Sequence, residues 1–115
     1  MFTRQTKLTW PLLLGLVVLI STTSVWPQTT GTLLGTITDE TGAVLPGVTI
    51  QINNQDTGLT RTAISNDTGR YNAPNLALGV YQVSAELPGF KTSTLSEIHL
   101  TVGAQITANM VLQIG

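Results

Sequence analysis

From Gly31 onward, apolar side chains recur at every second position within short runs. That period fits extended backbone with one buried face and does not fit a helix. Val48, Ile50 and Ile52 alternate with Thr49, Gln51 and Asn53. Tyr81, Val83, Ala85 and Leu87 alternate with Gln82, Ser84 and Glu86. A third run, Ile106, Ala108, Met110, Leu112 and Ile114, has Val111 intruding on its polar side. Weaker runs lie at 32–38, 59–65 and 97–102, and 70–73 adds a short one. Turn signals separate them: Asp39-Glu40-Thr41-Gly42, Pro46-Gly47, Asp56-Thr57-Gly58, Asp67-Thr68-Gly69, Leu78-Gly79 and Pro88-Gly89. Asx side chains cap such turns, and Gly takes positive φ without steric cost. Short strands at 8–12-residue spacing predict an antiparallel sandwich or barrel.

The first 27 residues read differently. Arg4 and Lys7 precede an apolar stretch from Leu8 to Ile20, followed by Ser21-Thr22-Thr23-Ser24. A basic start, a short apolar core and small residues make a secretory signal peptide, and the core is short for a membrane span of roughly 20 residues. The expected division is therefore a signal-peptide helix over 1–27 and one exported domain over 28–115. Cleavage is expected between Val25 and Gln28. Without the leader, Arg61, Arg70 and Lys91 stand against Asp39, Glu40, Asp56, Asp67, Glu86 and Glu97, a net charge of -3. A domain with that balance has no electrostatic footprint for nucleic acid.

Composition removes most chemistry. There is no Cys and one His, so disulfides, thiolate metal sites and Cys nucleophiles are excluded. No cofactor or metal is expected. Asp-Thr-Gly occurs twice, at 56–58 and 67–69, and an aspartic-protease dyad needs two such carboxylates sharing a proton. Here they flank one predicted strand, which holds them apart, and their neighbours are polar turn formers; they read as turns. The loops containing Asp39 and Glu40, Asn54 and Asp56, and Asn66 and Asp67 lack calcium-loop spacing and again read as turns. His99 has no placed nucleophile beside it and reads as a solvent-facing strand residue. Asn66-Asp67-Thr68 fits the N-glycosylation triplet, which the turn already accounts for. Tyr81 after Leu78-Gly79-Val80 resembles a tyrosine corner, and Phe90 is expected to close one end of the core. Tyr71 is the best candidate for an exposed ring, against the commoner role of aromatic residues as core.

An ordered set of pieces then resembles a known family. Gly35-Thr36-Ile37-Thr38-Asp39 and Gly42-Ala43-Val44-Leu45-Pro46-Gly47-Val48 look like the opening of carboxypeptidase regulatory-like domains. Asn66-Asp67-Thr68-Gly69-Arg70-Tyr71, Asn75-Leu76, Gly79-Val80-Tyr81 and Pro88-Gly89-Phe90 follow in the order of that family. The resemblance implies an all-β, seven-stranded Greek-key β-sandwich, transthyretin-like and grouped with carbohydrate-binding-like folds. A leader running straight into such a domain is most similar to the N-terminus of Oar-like TonB-dependent outer-membrane receptors. The resemblance thus implies export to the periplasm, outer membrane or cell surface of a Gram-negative-type bacterium. The metallocarboxypeptidase zinc ligands are not present, so no peptidase activity comes with the likeness.

The expected role is a non-catalytic accessory or binding domain. Its partner would be a receptor plug and barrel or another envelope protein; the alternative is a free-standing module that binds carbohydrate or another surface polymer. Loops on a rigid scaffold carry binding, so Asp39, Glu40, Asn54, Asp56, Asn66, Asp67 and Tyr71 are the expected contact residues, with edge-strand pairing as a second mode. Oligomeric state is not fixed by the sequence.

Overall fold

The computed structural model describes residues 30–115; the expected signal peptide over 1–27 lies outside them. Eight strands follow in order: β1 Thr30–Asp39, β2 Thr49–Asn54, β3 Thr60–Ile64, β4 Arg70–Ala77, β5 Gly79–Glu86, β6 Ser93–Leu100, β7 Gln105–Thr107 and β8 Met110–Leu112. They form two sheets, one with β1 between β4 and the β7/β8 pair, the other ordered β3-β2-β5-β6. The chain crosses between sheets after β1, β3, β4 and β6, which makes the expected Greek-key sandwich.

The alternation does what its period requires. Leu33 and Ile37 of β1, Ile50 and Ile52 of β2, Val83 of β5 and Leu112 of β8 are fully buried between the sheets. Burying each such side chain stabilises the fold by roughly 1.5–3 kcal/mol relative to exposing it. Tyr81 is buried, and its hydroxyl donates to the Ala77 carbonyl at 2.6 Å, a tyrosine corner as expected. Phe90 is half-buried against the core.

Three departures from the expected pattern have local causes. First, the seventh strand is broken into β7 and β8 by Ala108 and Asn109, and both pieces pair with β1 in parallel rather than antiparallel register. At the break Thr36 finds no strand acceptor, and its N–H donates instead to Asn109 Oδ1 at 2.9 Å. The Tyr71 hydroxyl donates to the Ala108 carbonyl at 2.7 Å, and a Cβ on Gly35 would overlap that same carbonyl. Gly35 is thus where the chain needs no side chain.

Second, β4 extends to Ala77, past Ala73 where its run was expected to end, because a bulge at Pro74-Asn75 carries the strand on. Asn75 takes φ 57, and Arg61 of β3 donates to the Pro74 carbonyl at 2.9 Å. Third, β6 starts four residues earlier than the run at 97–102, with a bulge at Ser96-Glu97, where Glu97 takes φ 58. Both bulges lie on edge strands, where they bend the unpaired backbone away from a second sheet.

Candidate functional site

The turns were the expected contact surface. Asp39 and Asn66 build the same structure. Asp39 Oδ1 accepts from Thr41 N–H at 2.8 Å, Thr41 hydroxyl at 2.6 Å and Ala43 N–H at 3.1 Å. Asn66 Oδ1 accepts from Thr68 N–H at 3.0 Å, Thr68 hydroxyl at 2.8 Å and Arg70 N–H at 3.0 Å. These two turns share the pattern Asx-x-Thr-Gly. By that match Asp67 corresponds to Glu40, and the two Asp-Thr-Gly triplets are not structural equivalents. The Thr41 hydroxyl, reinforced by backbone N–H groups of Thr41, Ala43 and Gly42 and opposed by partial desolvation, holds the Asp39 carboxyl below its usual value of 3.8.

The third turn is a different device at the other end of the molecule. Asn54 Oδ1 accepts from Asp56 N–H at 2.8 Å and Thr57 N–H at 3.1 Å. Asp56 Oδ2 accepts from Val80 N–H at 3.1 Å, which ties the β2–β3 turn to the corner between β4 and β5. Register sets the geometry. Asn54 is opposite Tyr81 near the start of β5, whereas Arg70, just after the 66–69 turn, is opposite Thr36 near the end of β1. Two turn clusters therefore share one pole and the third lies at the opposite one. Asp56 and Asp67 sit beyond opposite ends of β3.

Two expected contact residues require correction. Asn54 is 2% exposed and Tyr71 3% exposed, so neither side chain reaches a partner. Asn54 is drawn inward because its carbonyl oxygen satisfies two turn N–H groups. Tyr71 is drawn inward because its ring lies on the core face of β4 and its hydroxyl satisfies the Ala108 carbonyl. Burial pushes the Tyr71 phenol up to about 12. Glu40, Asp56, Asn66 and Asp67 are exposed and Asp39 half-exposed, yet Asp39 Oδ1 and Asn66 Oδ1 are occupied by their own turns and Asp56 Oδ2 by Val80 N–H of the β4–β5 corner. His99 is exposed, as expected. Among the described residues no three His, Cys, Asp or Glu side chains gather around a common point.

A concave surface lies elsewhere, on the outer face of the β4-β1-β7 sheet. An open groove of about 660 Å³ runs across it, within the size range of ligand sites. Its side chains stand in rows set by strand register. Arg70 is opposite Thr36, and Asn109 follows through its bond to Thr36 N–H. Asn72, Leu34 and Thr107 form the next row. Rows two residues apart along a strand are separated by roughly 6.6 Å and neighbouring strands by about 4.8 Å. Amide and hydroxyl side chains are the most numerous in this wall, Leu34 and Ile64 are its aliphatic members, and no carboxylate lines it.

Sequence reading did not reach this face. Arg70 and Asn72 alternate visibly with Tyr71 and Ala73, and Thr36 with Ile37. The parallel pairing that brings Thr107 and Asn109 beside them spans some seventy residues and leaves no local trace.

Several solved structures share this architecture. The Bacillus anthracis TIE protein aligns with a TM-score of 0.63 at 20% identity, covering 75% of this chain and 17% of that one. A putative carbohydrate binding protein from Bacteroides uniformis aligns at 0.59 and 19% identity, covering 76% and 42%. Chlorocatechol 1,2-dioxygenase from Pseudomonas putida aligns at 0.62 and 11% identity, covering 74% and 60%. The chain spans less than two thirds of the length of each, and at such identities the likeness is one of fold. No curated protein matches. The carboxypeptidase regulatory-like domain family matches residues 32–113, nearly all of the described residues, and the chain belongs to that family of non-catalytic sandwich domains.

Proposed function

We propose that the chain is an exported, non-catalytic accessory domain of the bacterial envelope, of the kind that precedes plug and barrel in TonB-dependent outer-membrane receptors. The observation that carries this reading is one of order. A basic, then apolar, then small-residue segment runs directly into a regulatory-like sandwich matched over 32–113. A non-catalytic role is supported by the turns: Asp39 and Asn66 hold their own backbones, Asp56 holds Val80 N–H, and Asp56 and Asp67 are kept apart by β3. Cell fractionation of the full chain carrying a C-terminal tag tests the proposal. Recovery with the envelope, together with crosslinking to an outer-membrane barrel protein, is expected. Recovery in the cytosol with the leader intact would overturn it.

A second reading, binding of carbohydrate or another surface polymer, is favoured by one specific feature. The groove on the β4-β1-β7 face presents amide and hydroxyl groups in rows, the chemistry that meets sugar hydroxyls. The Bacteroides uniformis neighbour, described as a putative carbohydrate binding protein, agrees in fold. Glycan-array binding by the full chain is the measurement; silence across the array from folded protein removes this reading and leaves the first untouched.

A further inference from the structure

We infer that the β4-β1-β7 groove is a subsite for a carboxylated sugar unit, with Arg70 taking the carboxylate. This rests on the polymer-binding reading and names its ligand class. Three cations occur among the described residues: Arg61, Arg70 and Lys91. The Arg61 guanidinium is committed to the Pro74 and Asn75 carbonyls. Lys91 lies against Gly115, where Phe90 bridges to Ile114. Arg70 alone lines the groove. Its backbone N–H donates to Asn66 Oδ1, which fixes where the side chain leaves the sheet.

Charge decides between ligand classes. A guanidinium with no carboxylate in the same wall seeks an anion, and its planar fork matches a carboxylate in two parallel hydrogen bonds. Thr36, Asn72, Thr107 and Asn109 offer donors and acceptors together, as a polyol does. Asn109 spends its carbonyl oxygen on Thr36, which leaves its NH₂ to donate. A polyphosphate needs several cations, and this groove has one on a domain of net charge -3. A neutral glucan gains much of its affinity by stacking on aromatic faces. Here Tyr71 borders the groove but is only 3% exposed, Tyr81 is buried, and Phe90 is outside the groove wall. One fixed charge amid uncharged hydrogen-bonding groups fits a polymer with one carboxylate per sugar.

The test titrates the isotope-labelled full chain with oligogalacturonate, and separately with its methyl-esterified, neutral form. Expected are amide shifts at Thr36, Arg70, Asn72 and Thr107, with tighter binding of the free acid that weakens as salt is raised. Arg70→Ala and Arg70→Gln should each weaken acid binding roughly 10- to 100-fold, the range of a hydrogen bond to a charged group. Lys91→Ala, which removes the same charge elsewhere, should not. Equal affinity for acid and ester, no effect of either Arg70 variant in a folded chain, or shifts on another surface would overturn the inference. So would no binding of either probe; the receptor reading would then still stand or fall by fractionation.

Discussion

The two kinds of polar surface on this sandwich differ in what their hydrogen-bonding groups are doing. At the turns, the Asp39, Asn54 and Asn66 oxygens are each engaged two or three times by their own backbone or by a neighbouring Thr. On the outer face of the β4-β1-β7 sheet, Arg70, Asn72 and Thr107 are exposed in register beside a groove. Richness in Asn, Asp and Thr is greatest at the turns. The groove is on the sheet. Polar residues mark a contact surface only where local structure has not already used them.

The largest expected effect breaks the sheet face itself. Gly35→Val places a side chain into the Ala108 carbonyl and against the Tyr71 ring, so denaturant unfolding should show a loss of ~3 kcal/mol from overpacking. Tyr71→Phe comes next. It leaves the buried Ala108 carbonyl without its donor, and a loss of about 2 kcal/mol is expected. It also removes an alkaline dependence. The folded phenol is pushed up to about 12 against a usual value of 10.0. Its contribution is therefore complete below pH 10 and lost as pH rises from 10 towards 12. Wild-type unfolding midpoints should fall across that window beyond any fall in Tyr71→Phe.

The paired turns give smaller and opposite signatures. Asn66→Ala should cost about 1 kcal/mol, since one oxygen serves three donors. Asp39→Asn should retain the turn but lose an acid dependence. The folded Asp39 carboxyl is held below 3.8, so its contribution is present above pH 3.8 and lost as pH falls below it. The neutral Asn66 turn has no such dependence, and Asn66→Asp should import one. Unfolding midpoints measured between pH 2 and pH 6 separate the four cases. The smallest stability effect is expected at Arg70→Ala, within about 0.5 kcal/mol in thermal unfolding, although its effect on ligand binding is the largest proposed.

The fold was legible because burial in a sandwich follows a period of two. Ile50, Ile52, Tyr81, Val83 and Leu112 lie inside as the alternation requires, and the ordered family pieces supplied the topology. The same alternation missed the break at Ala108-Asn109, because Tyr71 and Gly35, far away in sequence, shape the chain there. It also placed Ile114 inward, whereas Ile114 is 75% exposed beyond the end of β8. The candidate site was less legible. Turn chemistry identified Asp39, Asn54 and Asn66 as caps whose oxygens serve their own turns, which is what removes those oxygens from a contact surface, whereas the reach of Asp56 to Val80 N–H is set by the fold. The groove arises from a parallel pairing of β1 with β7, and only the folded chain brings Asn72 and Thr107 to the two sides of Leu34.

The most direct test compares oligogalacturonate binding by two variants of the full chain, Asp39→Ala in a turn and the double variant Arg70→Ala/Asn72→Ala on the sheet. The account predicts wild-type affinity per folded molecule for the first, and at least a tenfold loss without loss of fold for the second. Reduced affinity in the turn variant with undiminished affinity in the sheet variant would contradict it.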